Sequence, residues 1–163
     1  LLWQLERLLD ETENLPQVML MENVPDVIGP KFMPDFADWI AYLESRGYKN
    51  YYQVLNAKDY GIPQNRERCF MVSLLGDHYF EFPEPIPLKL RLKDMLEEHV
   101  DKKYYLSDAA VNKILNSEFQ QEKNRIQSGG LCQTLCARDY KGPPCVIQSE
   151  QVAEEAPTAI HGI

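Results

Sequence analysis

An apolar run, Val18–Met21, stops abruptly on Glu22 and Asn23, and further along Arg66 and Arg68 stand two apart behind a Gly61-Ile62-Pro63-Gln64 turn. A carboxylate and an amide closing a strand are well placed for ligand chemistry, because open α/β sheets bind ligands outside the carboxyl ends of their strands. At a dry strand end, desolvation favours a protonated carboxyl unless a cation pairs with it. Such a group donates to a ring nitrogen or accepts from an amino group, which suits the amidine-like edge of a base. The plainer alternative is that Glu22 caps the following turn through nearby N–H groups. In an extended segment Arg66 and Arg68 point to one face and Glu67 to the other. Two guanidinium forks side by side hold a carbonyl oxygen, a carboxylate or a phosphate. The plainer alternative for them is a solvated ion-pair cluster. The Gly-Pro turn before the pair and the apolar strand after it fix its position and favour a site.

The elements that must position these residues follow from periodicity. Leu1, Leu2, Leu5, Leu8 and Leu9 share one helical face, and Asn14-Leu15-Pro16 breaks that helix. Val18–Met21 reads as a strand covered on both faces. Phe36, Trp39, Ile40 and Leu43 repeat at helical spacing until Gly47. Tyr51–Leu55 and Cys69–Leu75 are the next strands, joined by a tight loop over Asp59–Gln64, and Gly76-Asp77 turns the chain. The order helix, strand, helix, strand, strand predicts the second half of an α/β sheet, with one face partly open and apolar area exposed. Met19–Met21 should be a parallel strand beside Tyr51–Leu55 or beside Cys69–Leu75. Cys69–Leu75 should run antiparallel to its neighbours, because its link from Leu55 holds no crossover helix. From Phe82 the prolines of FPEPIP mark a crossing segment. Leu90–Glu98 reads as a short helix, and Ser107 or Asp108 caps another running to about Gln121, with Ala110, Ile114 and Leu115 on one side. Beyond Ser128-Gly129-Gly130 the chain is rich in Gly, Pro and Cys and reads as a small, loop-rich domain.

The 163 residues are 44% hydrophobic and 10% aromatic, enough to bury a core. No apolar run reaches membrane-spanning length, and the N-terminus lacks the basic lead-in of a signal peptide, so a cytoplasmic protein without membrane contact is expected. The balance of 17 basic against 25 acidic residues gives −8. That argues against gripping a polyanion along a whole face. The acids cluster, however, and Arg66, Arg68, Lys123, Arg125, Arg138 and Lys141 remain to face a phosphate. Cys69 reads as a buried thiol. Cys132, Cys136 and Cys145 lack the spacing and fourth ligand of a good zinc site, so no metal is expected and free thiols are the better reading. No phosphate-cradling glycine loop is present, and no Ser-His-Asp or Cys-His set can be assembled.

With Glu22-Asn23-Val24 followed by Gly61-Ile62-Pro63-Gln64-Asn65-Arg66-Glu67-Arg68, the chain resembles the DNA (cytosine-5) methyltransferases of bacterial and phage type. The likeness is strong from Leu1 to about Asp108, and Leu131–Val146 resembles part of their target recognition region. The resemblance implies the C-terminal half of a class I S-adenosylmethionine-dependent methyltransferase sheet. Residues 1–82 would be a partial catalytic domain, 83–107 a linker, and 108–163 a partial target-recognition domain. It implies methylation of cytosine C5, as in restriction–modification systems. The cytosine is flipped from double-stranded DNA, a cysteine thiolate adds to C6, and S-adenosyl-L-methionine supplies the methyl group. By the same resemblance Glu22 meets N3 and the exocyclic amine of cytosine, and Arg68 holds its O2 with Arg66 in the same cluster. Asn23 orders the nucleophile loop, and Thr134 contacts the DNA backbone.

The departures are as informative. The family nucleophile lies in a Pro-Cys dipeptide before the Glu-Asn-Val strand, and here Pro144-Cys145 is far downstream. No nucleophile and no cofactor-binding residue is therefore assigned, and Cys136 stands where the family has a second Thr. The chain is expected to be a fragment, inactive alone, that needs a missing methyltransferase portion in cis or in trans. The alternatives are a non-catalytic subunit of a split methyltransferase, or a generic α/β module whose arginines form an ion-pair cluster.

Overall fold

The computed structural model describes residues 2–116, 130–134, 145–147 and 160–162. In chain order the elements are α1 (Leu2–Glu11), β1 (Val18–Asn23), α2 (Met33–Ser45), β2 (Tyr48–Asn56), β3 (Gln64–Asn65), β4 (Glu67–Leu75), α3 (Asp108–Leu115), β5 (Cys132–Gln133), β6 (Cys145–Ile147) and β7 (Ile160–Gly162). They fall into two compact units. The first holds Leu1–Asn56 and Glu67–Pro85, and the second holds Ala57–Arg66 and Ile86–Ile163. The second unit thus takes a loop from between β2 and β4.

In the first unit β1, β4 and β2 form a three-stranded sheet with β4 in the centre, antiparallel to both neighbours. The antiparallel run of β4 is what a link without a crossover helix requires, whereas the parallel pairing expected for Met19–Met21 is corrected: β1 lies beside β4 and antiparallel to it. β2 and β4 are longer than their apolar cores predict, so Glu67 and Arg68 belong to the strand and not to the loop before it. β1 alternates: Met19 and Met21 pack into the core, while Val18 and Leu20 on the opposite face are 60% and 69% exposed. The expected covering on both faces is therefore corrected. Helices lie on one side of these three strands, and an apolar side chain every second residue cannot be buried from that side alone.

The covered side is built on α2, whose Phe36, Trp39 and Leu43 are buried with Leu9, Tyr48 and Met71. The Phe36 ring meets Tyr52 edge-on at 5.1 Å. Gly47 follows α2 with φ of 89°, a left-handed turn that lets the chain reverse directly into β2. A polar clasp ties α1 to α2. The Tyr42 hydroxyl donates to Asp10 Oδ1 at 2.8 Å, with the Glu6 carbonyl oxygen 3.0 Å away. Arg46 reaches Asp10 at 3.1 Å and donates to the Leu9 carbonyl at 3.0 Å, satisfying an oxygen in the last turn of α1.

In the second unit, Ser107 caps α3 by accepting the Ala110 N–H at 3.4 Å. α3 is described to Leu115 with Asn116 as its C-cap; the rest of the longer helix expected there, 117–121, lies outside the described residues. Leu90–Glu98 forms only a 3-10 turn at Leu92–Met95. Ile114 and Cys145 are buried together with Leu106 and Val111 packed on them. β6 pairs antiparallel with β7. Lys123, Arg125, Leu135, Cys136, Arg138 and Lys141 lie outside the described residues.

The clasp carries a pH signature. Burial, and then the hydrogen bond and charge of Asp10, push Tyr42 from its ordinary 10.0 up to about 12, against the opposing charge of Arg46. Burial also raises Tyr48. Both groups favour the neutral form in the folded chain, so their contribution is complete below pH 10.0 and is lost as pH rises towards about 12. Denaturant titrations across that window should show stability falling with pH, and Tyr42→Phe should make the fall shallower.

Candidate functional site

The register of the first sheet decides which side chains meet. Glu22 lies opposite Phe70 and Asn23 opposite Cys69. On β4, Arg68 is two residues from Phe70 and so shares the face that carries Glu22. Glu22 and Arg68 are diagonal neighbours across the ladder, within reach of long side chains. They use that reach: Arg68 Nε lies 2.9 Å from Glu22 Oε1, with the arginine side chain 18% and the glutamate 46% exposed. Arg68 Nη1 also donates to the Glu67 carbonyl at 2.6 Å, which fixes the plane of the guanidinium. The expectation of a dry, desolvated Glu22 is corrected. Its carboxylate ends a strand on the sheet's open face, half exposed and paired with Arg68.

Asn23 points the other way. Its Oδ1 accepts the Val24 N–H at 2.8 Å, which turns the chain into the 3-10 segment Pro25–Ile28. The amide nitrogen keeps its donors. Cys69, one residue from Arg68, is fully buried on the core face, opposite to Glu22, and burial pushes its thiol up. It is a packing residue. Cys145 is likewise buried and its thiol raised by burial. Its sulfur lies among apolar side chains of the second unit, and Pro144 before it lies outside the described residues.

Arg66 belongs to the second unit. Its carbonyl accepts the Ala57 N–H at 3.0 Å and its own N–H donates to Gln64 O at 3.1 Å, so the ends of the Ala57–Arg66 loop are pinned together. Gly61 turns that loop with φ of +84°, and a Cβ there would stand 3.2 Å from Ile86 Cδ1. β3 pairs in parallel with β5, Gln64 opposite Cys132 and Asn65 opposite Gln133. Thr134 Oγ1 donates to the Asn65 carbonyl at 2.8 Å, so its hydroxyl proton is engaged within the protein. Sequence reasoning singled out Thr134 but not Asn65, whose part is played by a backbone oxygen that no side-chain pattern reveals.

Beside the Glu-Asn-Val turn lies a cavity of about 250 Å³ lined by Val24, Val27, Phe32 and Phe36 with Asp26 and Asp35. It offers two carboxylates on an apolar wall, with no glycine-rich approach and no cation. Among the described residues no group of three or more His, Cys, Asp or Glu is disposed to hold a metal, and no helix is long and apolar enough to cross a membrane.

A strand-end carboxylate thus stands paired with an arginine on the neighbouring strand, and the sequence of this chain matches a family model, that for C-5 cytosine-specific DNA methylase. That model matches residues 1–157, and the chain belongs to this family. The chain is 42% identical over 113 residues to Type II methyltransferase M2.ScrFI of Lactococcus lactis subsp. cremoris, an alignment covering 69% of this chain and 31% of the relative. It is 37% identical over 133 residues to the orphan methyltransferase M.SssI of Spiroplasma monobiae, covering 80% and 34%. The chain spans about a third of the length of these curated relatives. The S. pombe Dnmt2 methyltransferase shares the fold, with a TM-score of 0.67 over 93% of this chain and 50% of that one, at 19% identity.

Two outcomes follow from this geometry. Glu22 is half exposed, so its ion pair contributes little to folding, and Glu22→Gln should shift the unfolding free energy by less than about 1 kcal/mol. A loss of several kcal/mol by denaturant titration would make the pair a structural element. Native-state alkylation should label the partly exposed Cys132 well before Cys69 and Cys145, which should react only as the protein unfolds.

Proposed function

We propose that this chain supplies the cytosine-holding side of a DNA (cytosine-5) methyltransferase that uses S-adenosyl-L-methionine, as in restriction–modification systems. The observation that carries the reading is the Glu22–Arg68 pair at 2.9 Å on the open face of the sheet. A flipped cytosine entering between the two would exchange their mutual contact for its own complementary edge. O2 accepts from the Arg68 guanidinium, and the exocyclic amine donates to Glu22. As a thiolate adds at C6, N3 gains electron density, and Glu22, which takes up a proton from solvent once the base has displaced its arginine partner, passes that proton to N3, so the acid's contribution grows along the reaction. Arg66 is read as a DNA-facing charge, and Asn23 shapes the turn that would support the nucleophile loop. Residues 1–82 form part of the catalytic domain, 83–107 connect, and 108–163 belong to target recognition.

The methyl donor is the family's. In the cavity beside Asn23 the carboxylates of Asp26 and Asp35 can accept from ribose hydroxyls or an ammonium group, but no cation lines it to pair with the donor's amino acid carboxylate. No residue is assigned to hold the donor, and none to the nucleophile, since Cys69 faces away from Glu22.

The chain alone should transfer no methyl group from labelled S-adenosylmethionine to mixed-sequence duplex DNA. Supplying in trans the portion of a curated relative that this chain does not match should restore transfer. In that assembly Glu22→Gln should slow single-turnover transfer by about 100-fold while DNA affinity changes far less. Arg68→Ala should impair both, because it also removes a ground-state contact to the base. A single-turnover rate for Glu22→Gln equal to wild type would remove Glu22 from the mechanism.

A further inference from the structure

In the second unit three successive positions of the loop before Arg66 are tied to three successive positions around β5. The Cys132 N–H donates to the Pro63 carbonyl at 2.7 Å, Gln64 and Asn65 pair with Cys132 and Gln133, and Thr134 Oγ1 donates to the Asn65 carbonyl at 2.8 Å. Both strands are two residues long, too short to hold a register by themselves. The Thr134 hydroxyl therefore fastens the end of the ladder, at the carbonyl of the peptide bond that leads into Arg66. A threonine hydroxyl has one proton to give, and both a carbonyl oxygen and a phosphate oxygen can only accept. While Thr134 donates to Asn65 it does not donate to a DNA phosphate.

We propose that Thr134 is a positioning residue: its hydroxyl holds the Asn65 carbonyl, and through that peptide unit fixes the backbone from which the Arg66 side chain is presented. The inference rests on the reading of Arg66 as a DNA-facing group, and it assigns Thr134 to that arginine instead of to the nucleic-acid backbone. The closed Ala57–Arg66 ring of hydrogen bonds carries the effect. Arg66 O accepts from Ala57, so a shift at Asn65 is felt at both ends of the loop.

The test uses the full chain with Thr134→Val, which keeps the shape and removes the donor, and Thr134→Ser, which keeps the donor. Amide hydrogen exchange is followed in peptides covering Ala57–Arg66, with β4 as internal control. Thr134→Val should raise exchange at Ala57 and Arg66 by about fivefold, the effect of one lost hydrogen bond, leave β4 unchanged, and be reversed by Thr134→Ser. Unchanged exchange in Thr134→Val, or equal acceleration in both variants, would overturn the tether. Duplex DNA binding then gives a double-mutant cycle with Arg66→Ala. Thr134→Val should weaken binding in the wild-type background and add nothing once Arg66 is gone. Fully additive losses would return Thr134 to a direct phosphate contact. Absence of DNA binding by the wild-type chain would defeat the reading of Arg66 as DNA-facing, and with it the role given to Thr134, even where the exchange data uphold the tether.

Discussion

Everything in the first unit depends on β4 lying between β1 and β2 with its register fixed. The strand is sided. Cys69, Met71 and Ser73 are buried toward the helices, while Arg68, Phe70 and Val72 look the other way, and of these Val72 alone is buried. The helical side sets this alternation, because Phe36, Trp39 and Leu43 of α2 leave room only for apolar or small neighbours. Given that side, the polar ends of β1 and β4 have no freedom. A slip of one residue would carry Glu22 into the core and bring Met21 to solvent, and the cost of burying an unpaired carboxylate forbids it. Packing on one face of the sheet thus enforces the chemistry on the other.

The Gly61–Arg68 block divides its work. Its last two residues extend β4 and hold the ion pair, whereas Gly61–Arg66 forms a loop closed on itself and laid along β5. The left-handed Gly61 and the close approach of Ile86 shape the loop; the Asn65 carbonyl anchors it. The block thus answers two separate demands, one from each compact unit.

Much of this was legible in the sequence because it depends on periodicity and on turn residues. The helical repeat of Phe36, Trp39 and Leu43, the stop at Gly47 and the burial of Cys69 all follow from local pattern, as does the antiparallel run of β4, though not its central place in the sheet. The rest was not. The apolar run Val18–Met21 reads the same whether one face is covered or two, so the exposure of Val18 and Leu20 had no signal. Strand β4 starts at Glu67, two residues before its apolar core, because charged residues at a strand end are tolerated when the ladder continues beside Asn56 and Leu55. The pairing of Glu22 with Arg68 was foreseeable from chemistry alone, but its half-exposed setting required the fold. The β3–β5 contact joins residues far apart in the chain through backbone groups, which leave no mark on side-chain composition.

Because the two charges of the candidate site stand on neighbouring strands of one ladder, the distance between their attachment points is graduated like a ruler. Across the ladder it is one strand spacing, about 4.8 Å, and along a strand it changes only in steps of about 6.8 Å, two residues at a time, if both are to stay on the same face. Attachment points set this way cannot be shifted by small repacking or by loop motion. Only the rotamers of Glu22 and Arg68 open or close the space between their heads, so a ligand held there is limited by the reach of the two side chains from fixed points.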